Sequence, residues 1–203
     1  MTTLGAETIV YDGADRHVAS TANNATVRYT RDATGAIVAR TVSAIPAFRA
    51  RTSTNNGGAS TTSIVLTRPA STQTGDVLVA VVSGDFTAAA PTGWTTVATA
   101  AQAGAVTTRV RTHVADPADP SSWTFTWTGS KKAMGGIAAY SGIDTTNPVD
   151  VSATQLKTGN GTSHPAASVT TTIASTILVT AYGLKAGTSV TRRRSGPTDA
   201  CSP

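Results

Sequence analysis

Six consecutive residues, Trp123 to Thr128, constrain this chain more than any other stretch, because WTFTWT alternates without exception. Trp123, Phe125 and Trp127 fall on one side of an extended backbone and Thr124, Thr126 and Thr128 on the other. This is the period-two pattern of a strand that buries one face. Two of the three tryptophans are committed there, and Trp contributes a large apolar area when buried. A polar turn, Gly129 to Lys132, leads into AMGGIAAYSG, which is too short and too glycine-rich for a stable helix. It reads as a second strand crossing the core, with Gly135 and Gly136 marking close approach of neighbouring backbones. The stretch carries no catalytic group, so it speaks for architecture before activity.

Composition points the same way. Charged residues are 13% of the 203 and Thr is about one residue in five, and β-branched side chains favour a pleated surface. The expectation is an all-β chain. A net charge of +5 and a pI near 9.8 would suggest nucleic acid, but Arg192, Arg193 and Arg194 supply three of those charges against Asp199 in one terminal tail. The remaining +3 is spread thinly, and no basic face with interleaved stacking aromatics emerges. Nucleic acid is therefore not an expected partner. Cys201 is the sole cysteine, which rules out an intrachain disulfide and a Cys-rich metal site. No apolar run approaches the ~20 residues of a membrane helix, so membrane insertion is not expected, and MTTLGAETIVYDG lacks the pattern of a signal peptide.

Residues 1–45 are more charged and contain an internal echo. Tyr11-Asp12-Gly13-Ala14-Asp15-Arg16 returns twenty residues later as Arg31-Asp32-Ala33-Thr34-Gly35-Ala36, with Val18 and Ala19 matching Val38 and Ala39. A period of that length suits one strand pair per unit. Asn23-Asn24 predicts a turn between alternating segments. These residues, with Val27-Arg28-Tyr29-Thr30-Arg31 ahead of the second Asp, resemble the YD repeat of the RHS family, written RYxYDxxGRL. Asp15 stands where Gly is usual, Arg31 replaces the second Tyr and Ala36 the second Arg. The resemblance implies a β-strand shell built from many copies; one and a half copies enclose nothing, so that shell function does not carry over.

Residues 46–60, PAFRARTSTNNGGAS, read as a linker with a flexible Asn55-Asn56-Gly57-Gly58 end. From there to residue 190 strand signals recur at short spacing. Ser63–Thr67 precedes Pro69; Gly75–Ser83 (GDVLVAVVS) reads as a strand buried on both faces. Trp94–Thr99 follows, then Val106–Val114, whose Val106, Val110 and Val114 are expected inward and Arg109, Arg111 and His113 outward. After Trp123–Asp150 and a turn at Gly159-Asn160-Gly161, Val169–Ile173 and Ile177–Leu184 complete the set. The predicted architecture is all-β, a β-sandwich with Greek-key or jelly-roll connections preceded by a small β-hairpin appendage and followed by a basic, disordered tail, 191–203.

GDVLVAVVS, PTGWTTV and HVADPADPSSWTFTWTGSKKAMGGIAAYSGIDTTNPVD, in that order over residues 60–190, resemble a β-sandwich module of large secreted, cell-surface and phage-tail proteins of actinomycete-type bacteria. The resemblance implies display, adhesion or carbohydrate binding outside the cell, and it brings no catalytic residues. With no signal peptide in the sequence, export would depend on a larger parent polypeptide or on a route that needs no such signal. RRRSGPTDACSP departs from the module's pattern, which continues past the ILVTAYGL strand.

Chemistry-bearing residues are sparse. His17, His113 and His164 lack a nucleophile context, and the chain has one Glu, Glu7, outside the sandwich. Catalytic residues are therefore not assigned, and the chain is not expected to be an enzyme. No cofactor is expected, although Asp144, Asn147 and Asp150 in DTTNPVD could supply oxygen ligands to a structural calcium. Trp94 and Asp85 flank the loop Gly84–Trp94 and are the candidate ligand-binding pair, Trp94 as a platform for a sugar ring. Two functional expectations result: a non-enzymatic binding or display module with glycan as the ligand class, or a passive structural spacer beside an RHS-like region. Trp94 separates them, since exposure favours binding and packing favours the spacer.

Overall fold

The computed structural model describes residues 8–22, 25–157 and 164–184. Eleven strands make up its regular structure: β1 Thr8–Tyr11, β2 His17–Ala22, β3 Ala25–Arg31, β4 Ile37–Ala44, β5 Ala47–Asn55, β6 Thr61–Thr67, β7 Val77–Gly84, β8 Thr95–Gln102, β9 Val106–Val114, β10 Ser122–Lys131 and β11 Ala133–Ser141. Every pairing is antiparallel. Among the described residues no helix is long and apolar enough to cross a membrane.

A five-stranded sheet, in the order β5-β11-β7-β9-β8, faces the two-stranded sheet β10-β6, and together they form a β-sandwich. The alternation of Trp123 to Thr128 is its inner wall: Trp123, Phe125 and Trp127 are 5%, 0% and 8% exposed while the threonines between them face solvent. They pack with Ile64 and Leu66 of β6 against Leu78, Ala80 and Val82 of β7 and Ile137 and Ala139 of β11. Burying each of the larger of these side chains contributes about 1.5–3 kcal/mol, which makes this layer the main source of cohesion. The glycine pair of β11 does what close packing demands. A Cβ on Gly135 would stand 2.9 Å from Val81 O, and one on Gly136 would stand 2.6 Å from Thr52 O. Backbones of β7 and β5 approach from either side, and any larger residue would part them.

The first four strands form a separate sheet, β1-β2-β3-β4. Its two hairpins repeat one corner. Asp12 Oδ1 accepts the Ala14 and Arg16 amides at 2.9 and 3.0 Å, and Asp32 Oδ1 accepts the Thr34 and Ala36 amides at the same distances. Each hairpin also has a register shift at the equivalent place, Val10/Tyr11 and Thr30/Arg31. Arg31, which stands where the repeat pattern has Tyr, donates to Gly35 O and to His17 O, so it joins the second hairpin to the first. The turn expected at Asn23-Asn24, the turn at Gly159-Asn160-Gly161 and the basic tail lie outside the described residues.

Three expectations are corrected. Residues 46–60 are not a linker: β5 occupies most of them and pairs along its length with β11. Arg49 of β5 fastens it further, with Nη2 donating to Asp76 Oδ1 at 3.0 Å and Nε 2.6 Å from Oδ2. β5 is an edge strand with a mostly polar, partly exposed sequence, the composition that edges tolerate. Second, Val169–Ile173 and Ile177–Leu184 form no ladder. The backbone at Gly183 rests on Thr108 and Ser83, on the outer face of the five-stranded sheet rather than at an edge. An alternating apolar segment satisfies either position, but only an edge offers hydrogen-bond partners.

Third, the facing of β9 is inverted. Arg111 is 1% exposed and its guanidinium lies 5.5 Å from the Phe125 ring, while Val106, Val110, Thr108 and Thr112 line the outer face. Neither alternating set of β9 is purely apolar, so valine positions alone chose the wrong side.

Candidate functional site

The inner face of β9 presents a basic row, Arg109, Arg111 and His113, to the aromatic row of β10. His113 and Trp123 rings lie 5.6 Å apart, and Arg111 sits over Phe125. Between β7 and β8 the loop 85–94 folds over this layer, and its contents decide what the site can do.

Trp94 lies inside the core. Its ring meets Trp123 and Phe125 edge-on at 5.2 and 5.7 Å and stacks on His113 at 5.2 Å, leaving 8% of the residue exposed. It offers no face to a sugar, which corrects its expected role as a platform. Its indole nitrogen is buried without a hydrogen-bond partner. Asp85, at the other end of the loop, points to solvent and pairs with Lys131 Nζ at 3.1 Å. One candidate is buried and the other exposed, so the pair does not converge on one surface. Next to Asp85, the Phe86 ring stacks on Trp127 at 3.9 Å and 13°. It passes directly over Gly84, where a Cβ would fall 1.9 Å from the ring.

His113 meets an acid, Asp119. Its Nε2 lies 2.8 Å from Asp119 Oδ1, and its Nδ1 lies 2.9 Å from Gly93 O. Asp119 also accepts the Asp116 amide at 2.8 Å. With side chains 12% and 9% exposed, both ring nitrogens engaged and Trp94 stacked on the ring, the pair fastens loops to β9 and has no nitrogen free for proton transfer to a substrate.

Arg109 and Arg111 were expected on the surface and are the residues that sequence reasoning missed. Both donate to a single acceptor, Ala88 O, Arg109 through Nη1 at 3.0 Å and Arg111 through Nη2. Burial, with the adjacent charge of Arg109 second, holds the Arg111 guanidinium below its ordinary pKa. The only signal in the sequence was two arginines at strand spacing with no acid opposite.

The expected calcium ligands lie elsewhere, along an open cavity of about 1450 Å³ between the outer sheet face and residues 142–157 and 164–184. Asp144 Oδ1 accepts the Thr146 amide at 2.9 Å, a local turn. Asp150 accepts the Thr172 amide at 2.7 Å and the Thr172 hydroxyl on its other oxygen; these bonds, the hydroxyl first, hold its carboxyl below the ordinary value. Both Asp150 oxygens are engaged in tying residue 172 to the loop. Among the described residues no three of His, Cys, Asp and Glu come together as a metal site. The cavity's apolar lining includes Val79, Val97, Val110, Leu178 and Val179.

Compared with protein-family models, curated proteins and solved structures, the chain matches none.

Proposed function

We propose that this chain is a non-enzymatic structural and display module, a β-sandwich spacer beside an RHS-like hairpin sheet within a larger secreted, cell-surface or phage-tail polypeptide of bacterial type. The observation that carries this reading is the packing of Trp94: the best-placed aromatic for ligand contact is spent on holding the loop 85–94 to the core. The repeated Asp corner of the first four strands supports the RHS-like part of the reading, since two successive units share one turn chemistry. The partner on this reading is the parent polypeptide.

Glycan contact is the second reading. It is favoured by Asp85 and Lys131, whose side chains are 44% and 41% exposed beside the Phe86 ring. A glycan array probed with the whole chain, its fold checked by circular dichroism, tests the choice. Absence of binding across neutral and acidic glycans supports the spacer. A hit abolished by Asp85→Ala with Lys131→Ala overturns it in favour of binding.

A further inference from the structure

We infer that Arg109 and Arg111 form a binding site for a small oxyanion, closed over by the loop 85–94. The two guanidinium groups converge on the one carbonyl oxygen of Ala88. That oxygen uses up one N–H from each. Arg111 Nε and Nη1 and Arg109 Nε are left buried without partners. Among the described residues the ion pairs are Asp12–Arg16, Arg49–Asp76, His113–Asp119 and Asp85–Lys131, and neither arginine takes part.

A guanidinium cannot relieve burial by shedding its proton, and an unpaired charge away from water is strongly unfavourable. Contact of the Arg111 guanidinium with the Phe125 ring offsets only part of that cost, and the second positive charge alongside adds to it. An anion removes both penalties together. Two planar forks with free N–H groups suit the oxygens of phosphate, sulfate or a carboxylate, which accept paired charge-assisted hydrogen bonds. Entry is through the loop. Ala88, Ala89 and Ala90 carry no side chain larger than a methyl group, and the strand-like link from this part of the loop to β10 is the Ala89 amide on Thr126 O at 2.7 Å. Lifting that short span would open the site without disturbing the Trp94 end.

The test is a titration of the whole chain with sodium phosphate at fixed ionic strength, following the guanidinium Nε–Hε resonances by NMR and the melting temperature. Saturable shifts of Arg109 and Arg111 with a saturable rise in melting temperature are expected. Arg109→Gln, at the half-buried position, should weaken the response by about tenfold or more. Arms with sulfate and with glucuronate distinguish an inorganic ion from the carboxylate of an acidic sugar; binding in either arm supports the site. Arg111→Met provides a second variant where it folds, and Arg109→Gln carries the test where it does not. Unsaturable shifts, or a rise in melting temperature equal in parent and Arg109→Gln, would mean a general salt effect and overturn the proposal.

Discussion

Asp15 and Gly35 occupy the same corner of two successive hairpins, and both lie in the left-handed region, at φ 57° and 89°. The surrounding bonds match: the Asp15 amide donates to Asp12 O and the Gly35 amide to Asp32 O, each at 3.0 Å. Asp is one of the few residues that visits this region readily, which is why the first unit dispenses with Gly. Gly35 has no such latitude, because its φ is wider and a Cβ there would stand 3.1 Å from Arg16 Nη1. Gly35→Ala should therefore cost about 1 kcal/mol or more, and Asp15→Gly should change stability by less than about 1 kcal/mol. Hydrogen exchange at the Arg16 and Ala36 amides, read in each variant, checks both.

The same corners predict an acid response. Asp12 is held below the ordinary carboxylate value of 3.8, chiefly by the Arg16 amide, and Asp32 chiefly by the Thr34 hydroxyl. With folded pKa values below the unfolded one, the stabilisation is complete above about pH 4 and is lost as pH falls through the lowered values. The Ala14, Arg16, Thr34 and Ala36 amides should keep their chemical shifts at neutral pH and move together only in that acid window. Asp12→Asn should remove the movement in the first hairpin and leave the second unchanged.

Where the sequence was legible, one periodicity had one solution. Trp123 to Thr128 had a wholly apolar set and a wholly polar set, so its facing was determined. Val77 to Gly84 was continuous because both faces of β7 are covered, the inner by the sandwich and the outer by segments within residues 142–157 and 164–184. β9 was ambiguous because threonines dilute its valine set while its basic set has aromatic neighbours that only the tertiary fold supplies. Ile177–Leu184 was misread because period two describes an extended chain and not its hydrogen-bond partner. The candidate site failed at Trp94 for a related reason: a loop-edge Trp looks the same in sequence whether it turns out to a ligand or in to Phe125.

The placement of β5 in the sandwich moves the unit boundary to the Ile45-Pro46 step and yields a truncation test. Removing residues 1–45 leaves the β5–β11 ladder and the Arg49–Asp76 pair in place, so cooperative unfolding monitored by Trp fluorescence should persist. Removing residues 1–59 strips β11 of a neighbour and leaves Asp76, 3% exposed, without its cation. That second truncation should abolish the transition or lower its midpoint severely. Within the whole chain, Arg49→Met should cost about 2–4 kcal/mol by the same loss, measured by urea unfolding.

His113 and Asp119 supply the last test, because a catalytic dyad and a structural fastener respond differently to the same substitution. Asp119→Ala removes the partner of the part-buried His113 Nε2 and the acceptor of the exposed Asp116 amide, and the loss at the His113 ring should cost about 1–3 kcal/mol. The His113 ring is the stacking surface for Trp94, so loosening it should admit water to the indole. The expected outcome is a lowered melting temperature together with a red shift of Trp emission and faster acrylamide quenching. His113→Phe keeps the stack but not the two polar contacts, and it should restore the emission maximum while recovering only part of the stability. A red shift that persisted in His113→Phe would mean that the Gly93 and Asp119 contacts, rather than the ring stack, hold Trp94 in the core.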